Sequence, residues 1–207
     1  MSYTQQEKED ALKRKDLSKL TNMINDGVDV NSLFIAKHTD ILLEAINKDR
    51  LLFLHRVLDS GFKCKNNSGF CYVHHAIRTH KKDFVEVIVS QYKKEDININ
   101  EYSVDGENCL HVAAGETGIS DEIFIYLTNL GVSWKEKNSL GENPLHVILR
   151  FQPVISDELL NLLKTNKEIF KEKNKVGITP KDIILSDEVS IDWKNLNKNI
   201  INFVKQL

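Results

Sequence analysis

The sequence predicts an all-α fold, a solenoid of about five helix-turn-helix repeats with a capping unit at the N-terminal end and a capping helix at the C-terminal end. Three observations carry this expectation. The segment Asp105-Gly106-Glu107-Asn108-Cys109-Leu110-His111-Val112-Ala113-Ala114 returns 35 residues later as Leu140-Gly141-Glu142-Asn143-Pro144-Leu145-His146-Val147-Ile148-Leu149. Apolar runs of helical period stop on glycine, which accepts the left-handed conformation that ends a helix. The last segment, from Ser190 through Trp193, Leu196, Ile200, Ile201 and Val204 to Leu207, is apolar at helical spacing.

The elements follow in register. A capping unit spans 5–33, its outer helix running from Asp16 into Gly27-Val28-Asp29-Val30-Asn31. Repeats are expected at about 34–66, 67–102, 103–138, 139–174 and 175–190, with a closing helix at 191–207 and the whole of 1–207 as a single domain. The inner-helix starts align at Asp40, Cys71, Asn108, Asn143 and Thr179, with spacings of 31, 37, 35 and 36 residues. Outer helices are read at Leu51 to Gly61 and at Glu122 to Gly131. Two others end irregularly, Phe84 to Tyr92 running into Lys93-Lys94-Glu95-Asp96, and Leu159 to Lys164 into Thr165-Asn166-Lys167. Ser190 or Asp192 is the N-cap expected for the closing helix, which covers the face that a last repeat otherwise exposes.

From about residue 5 to 190 the chain resembles the ankyrin-repeat family, whose repeats of about 33 residues carry T-P-L-H-x-A. The resemblance implies that Thr179-Pro180 opens an inner helix as cap and first-turn proline. Asn108 and Asn143 substitute as caps, whereas Cys71 is a poor one. It also implies that Val73, Leu110 and Leu145 are core contacts and that Trp134 fills a buried valine position. His74, His111 and His146 then take a structural role, each ring bridging backbone groups of adjacent repeats. Successive repeats lie roughly 10 Å apart, too far for these rings to share a zinc ion bound at about 2 Å.

Composition excludes several classes. Hydrophobic residues at 41% supply a core, and a formal charge of -2 gives no electrostatic case for nucleic acid. No apolar run reaches the roughly 18 residues of a membrane span, and the first ten residues lack the apolar stretch of a signal peptide. Cys64, Cys71 and Cys109 are odd in number and form no disulfide framework, which fits a reducing cytosol. A zinc site at Cys71, His74 and His75 would need Cys64 as its fourth ligand, with no paired CxxC to support it. Phosphate-loop, dinucleotide, nucleophile-elbow and HExxH patterns are missing. Asp121-Glu122 and Asp157-Glu158 read as helix starts that complement the dipole, not as a catalytic pair. The lysines at 93, 94, 135, 137, 164, 167, 171, 173 and 175 are interleaved with Glu136, Glu168 and Glu172 and read as a solvated face.

The resemblance further implies that a partner lies along the concave surface, over turn tips and the open side of the inner helices. Mapped onto this register, the partner-binding candidates are Phe70, Arg78, Tyr102, Val104, Glu107, Lys137, Leu140, Glu142 and Arg150, and Ile178 shares their register. Phe70, Tyr102, Val104 and Leu140 are the apolar members, at positions the scaffold leaves free. The expectation is a non-catalytic adaptor or inhibitor that binds another protein, is monomeric when free, needs no cofactor and contacts neither nucleic acid nor membrane. It is placed in the cytoplasm, or in a host cytosol if the chain is a secreted bacterial effector. The alternative is the substrate-docking module of a larger enzyme. The apparent caps at both ends favour the adaptor.

Overall fold

In the computed structural model the described residues, 3–33, 41–64, 71–100, 103 and 105–207, hold thirteen α-helices and no strand. The chain divides into two compact units, Met1–Asn98 and Ile99–Leu207.

The first unit holds α1 (Gln5–Lys13), α2 (Leu17–Asn25), α3 (Ile41–Asn47), α4 (Leu51–Asp59), α5 (Tyr72–Ile77) and α6 (Lys82–Lys94). Each odd-numbered helix packs on the next even one, α3 packs on α5, and α2, α4 and α6 form a row. The chain enters α1 through a capping box, in which Thr4 Oγ1 accepts the Glu7 amide and the Glu7 carboxylate accepts the Thr4 amide. The turns inside the pairs are alike. Lys15, Asp49 and His80 all adopt left-handed φ, of 54°, 56° and 60°. The amides of Asp16 and Arg50 reach back to the carbonyls of Ala11 and Ala45, satisfying groups that a helix end leaves open.

Outer helices stop as the glycines indicate: Gly61 and Gly131 have φ of +92° and +85°. After α6 the same place is taken by Asp96 at φ 55°. A short polar side chain tolerates that conformation, so the irregular end read at residues 93–96 still closes like the others. Cys71 stands at the N-cap of α5 with no side-chain cap bond. The first amide of that helix is met from α6 instead, where the buried Tyr92 hydroxyl accepts the Tyr72 N–H at 3.1 Å. Val73, Ala76, Leu54, Val57 and Ile88 are fully buried between the layers, each worth about 1.5–3 kcal/mol for the larger side chains.

The second unit holds α7 (Cys109–Gly115), α8 (Asp121–Asn129), α9 (Pro144–Phe151), α10 (Asp157–Lys164), α11 (Pro180–Leu185), α12 (Ile191–Leu196) and α13 (Lys198–Val204). A 3-10 turn at Lys167–Phe170 follows α10. Helices α7, α9 and α11 pack in one row and α8, α10 and α13 in another, with α11 against α13. Leu110, Leu145 and Ile148 are fully buried in the first row, where Ala113 and Ala114 permit close approach. Trp134 is also buried; its ring stacks on Phe124 at 6.1 Å and its indole N–H donates to Thr128 Oγ1 at 2.9 Å.

The expected closing helix at 191–207 is two helices. It breaks at Asn197, whose buried side chain serves the loop before α10. The Ile155 amide donates to Asn197 Oδ1 at 2.7 Å, and Nδ2 donates to the carbonyls of Pro153 and Trp193 at 3.0 Å. Ser190 caps α12 as expected, its hydroxyl accepting the Trp193 amide. Among the described residues no helix is long and apolar enough to cross a membrane.

Candidate partner-binding site

Three turns in the second unit, one closed between Ser103 and Glu107 and two at 138–142 and 174–178, are built by one rule. In each, the first residue's amide donates to the carbonyl four residues on: Ser103 to Glu107, Asn138 to Glu142 and Asn174 to Ile178, all at 2.9 Å. The side chain of that first residue then accepts two amides. Ser103 Oγ takes those of Asp105 and Glu107, Asn138 Oδ1 those of Leu140 and Glu142, and Asn174 Oδ1 those of Val176 and Ile178. Serine and asparagine suit the task because their short side chains imitate a backbone turn.

Each turn is then fixed to its neighbour. The Ser139 amide donates to Asp105 O at 2.7 Å, and the Lys175 amide to Leu140 O at 3.0 Å. The helix caps join in: Asn108 Oδ1 accepts the amides of Leu110 and His111 while Nδ2 donates to Ser133 O, and Asn143 Nδ2 likewise donates to Ile169 O. His111 Nδ1 faces the Asn108 amide at 3.2 Å, so the neutral ring carries its proton on Nε2 and donates to Glu142 O at 2.9 Å. His146 repeats this with the Asn143 amide and Ile178 O, at 3.2 and 3.1 Å. Burial pushes both imidazoles below their ordinary value of 6.5, against the opposing pull of the carbonyls that accept their Nε2–H. Each ring thus bridges one turn to the next. His74 is buried at the matching place in α5.

The nine candidate residues fall unequally on this frame. Phe70, Tyr102 and Val104 lie outside the described residues. Arg78 is exposed at the end of α5, lining a small cleft with His75, Asp49 and Lys81 in the first unit. Leu140 is 55% exposed at the summit of its turn. Lys137 is exposed, with its ammonium donating to Lys173 O at 3.0 Å and standing 3.5 Å from Glu172. Glu107 is half-buried and closes its turn through its carbonyl. Glu142 is 8% exposed; its carboxylate is taken by the Arg150 guanidinium and its carbonyl by His111. Arg150 itself is exposed and also lies over the Phe151 ring at 5.6 Å.

The structure adds Val176, 76% exposed, which holds on its turn the place that Leu140 holds one repeat earlier. Stepping 36 residues along the register from Leu140 reaches it. With Ile178 at 43% exposure, three aliphatic side chains stand on two adjoining turns whose backbone amides are all hydrogen-bonded. The three side chains are hydrocarbon, so what they themselves offer is apolar contact area. Among the described residues no group of three or more His, Cys, Asp or Glu is placed to hold a metal ion. A concavity of about 790 Å³ in the first unit, between the starts of α2 and α4, is lined by Lys15, Lys48, Arg50, Leu52 and Arg56. Its Lys15 and Lys48 are both paired with Glu44. No protein-family model matches the chain, and no curated protein matches it.

Proposed function

We propose that the chain is a non-catalytic ankyrin-repeat module, an adaptor or inhibitor that captures another protein on the tips of its turns and along the open side of its inner helices. The observation that carries this reading is the set of exposed aliphatic residues, Leu140, Val176 and Ile178, standing on turns that their own bonds hold still. The paired helices in rows, the recurring Asn caps and the histidine bridge between successive turns support the ankyrin architecture. Capture proceeds by mass action. A surface ordered before binding loses little side-chain and loop entropy when the partner arrives, so more of the contact energy appears as affinity.

Pull-down from lysate with the intact chain, set against Leu140→Asp with Val176→Asp, tests this. Both side chains are exposed, so the double variant keeps its melting curve while partner recovery falls at least about tenfold, as for loss of a binding hot spot. Phe70→Ala with Tyr102→Ala tests the two aromatic positions that the register alone nominates. Undiminished recovery in both variants, with the fold intact, removes the turn tips as the binding surface.

A further inference from the structure

We propose that a second surface of the second unit, formed where its inner helices run into its outer ones, docks a basic polypeptide segment that carries apolar side chains. This surface stands at the far end of the inner helices from the ridge of turn tips, and it does not rest on the reading of that ridge. Hydrogen bonds join its parts. The Trp193 indole N–H donates to Gln152 O at 3.3 Å, and Asn197 holds Pro153 O and the Ile155 amide, so α12 lies along the loop at 151–156. Gln152 Nε2 donates in turn to Glu116 O at 2.8 Å, on the loop before α8.

Its apolar part faces solvent. Ile191 and Leu196 are 77% and 61% exposed, Phe151 and Val154 on the adjoining loop are exposed too, and none of the six residues of α12 is buried. Trp193 and Asn197, four residues apart, turn inward, which leaves Ile191 and Leu196 on the outer side with Asp192 between them. Helices in proteins draw most of their stability from a packed apolar face, and these two side chains have no such cover.

Its charge is one-sided. Residues 151–158 and 186–198 hold Asp157, Glu158, Asp187, Glu188 and Asp192 against Lys194 and Lys198, and Asp121, bonded to Ser156, adds a further carboxylate. Lys194 pairs with Asp187 at 3.8 Å, while Glu158, Glu188 and Asp192 are exposed and make no ion pair among the described residues. Neighbouring cations do not close the gap. Arg150 is taken by Glu142, α8 contains none, and Lys164, Lys181 and Lys205 stand at the opposite ends of α10, α11 and α13. Glu116 and Glu122 have partners of their own, so the surplus does not depend on them. Helix starts explain Asp157, Glu158 and Asp192 one by one, but Asp187 and Glu188 lie in a turn outside any helix.

Charge complementarity selects the occupant. The surplus repels nucleic-acid phosphates and anionic lipid headgroups. The acids are spread along the surface, and among the described residues no three are placed to hold a metal ion. A segment that mixes Lys or Arg with large apolar residues meets both features. Its cations answer the carboxylates, and its apolar side chains cover Ile191 and Leu196.

Random peptides displayed on phage, first depleted on Ile191→Ser with Leu196→Ser and then panned on the intact chain, read the chemistry of this surface alone. The expected pool is net basic with at least a pair of large apolar residues. The best peptide, synthesised and labelled, binds at least about tenfold more weakly to the serine variant, and likewise to Glu188→Lys with Asp192→Asn. Its affinity for the unaltered chain falls as salt rises from about 50 to about 500 mM, through screening of exposed charge. Leu140→Asp with Val176→Asp, which alters the turn tips, leaves that affinity unchanged. Melting curves confirm that each variant folds. A neutral or acidic pool, no enrichment, or undiminished binding to either edge variant overturns the proposal. So does dependence on Leu140 and Val176, which would put the peptide on the ridge. Self-association in sedimentation equilibrium that the serine variant abolishes, without peptide enrichment, gives the surface to a second copy and overturns it equally.

Discussion

At the residue scale, the histidines show how one side chain can be structural and still leave a measurable trace. His111 and His146 follow their capping asparagines by three residues, which puts each Nδ1 against the cap's own amide and aims Nε2 at the next turn. A second proton would fall between Nδ1 and the cap's Oδ1, at 2.8 Å in His111 and 2.7 Å in His146, and would bury a charge. Burial accordingly lowers both values, and it lowers that of half-buried His75 as well, with Arg78 adding to the effect. The unfolded chain, whose imidazoles titrate near 6.5, then takes up protons before the folded one does. Stability is at its full level above about pH 6.5 and declines as pH falls through the interval down to the folded values. Thermal melts between about pH 7.5 and 5 should show this decline, and His111→Gln with His146→Gln should flatten most of it. A wild-type profile that stays level over that range contradicts the assignment of these rings as buried and neutral. The role of His111 and His146 was open to sequence reading, since spacing alone kept the registered histidines apart. The burial of Glu142 was not, because its pairing with Arg150, eight residues on, exists only once α9 is wound.

At the element scale, local signals worked where the cause was local. Thr4, Asp16, Asn108, Asn143, Ser156, Thr179 and Ser190 all cap helices through their own side chains, and a capping residue acts within a turn of itself. The single closing helix failed for the opposite reason. Leu196, Ile200 and Val204 do recur at helical spacing, and Asn197 reads there as one more polar position. What stops the helix is demand from residues 42 and 44 positions earlier, the Ile155 amide and the Pro153 carbonyl. Asn197→Ala removes both partners at once inside the core. It should cost about 1–3 kcal/mol for each buried group left unpaired, measured by urea unfolding. A change below about half a kcal/mol would mean that water replaces the amide and that the break has another cause. Tyr92 shows the same long reach, since its hydroxyl supplies what Cys71 withholds.

At the scale of the whole chain, the repeat supplied a register more than a site. It placed Leu110 and Leu145 in the core and Leu140 on the surface, but it could not rank surface positions, because the scaffold does not constrain them. Val176 went unread although Leu140 pointed to it. The link between register and surface is testable at the glycines beside the turn summits. Gly106 and Gly141 have φ of +72° and +74°, so alanine at either pays the left-handed cost of roughly 1–2 kcal/mol. Their surroundings differ. A Cβ on Gly106 would stand 3.5 Å from Ser139 N, an ordinary contact, whereas one on Gly141 would meet Lys175 N at 2.9 Å and Lys175 Cγ at 3.0 Å. Backbone cannot yield there without moving the turn that carries Val176 and Ile178. Gly141→Ala should therefore be less stable than Gly106→Ala by about 1 kcal/mol or more, the scale of local backbone strain. It should also lose partner capture at temperatures where it is still folded, while Gly106→Ala keeps it. Equal stability and equal capture in the two variants would separate the stitching of the turns from binding, and the ridge would then be a by-product of the stack instead of its working surface.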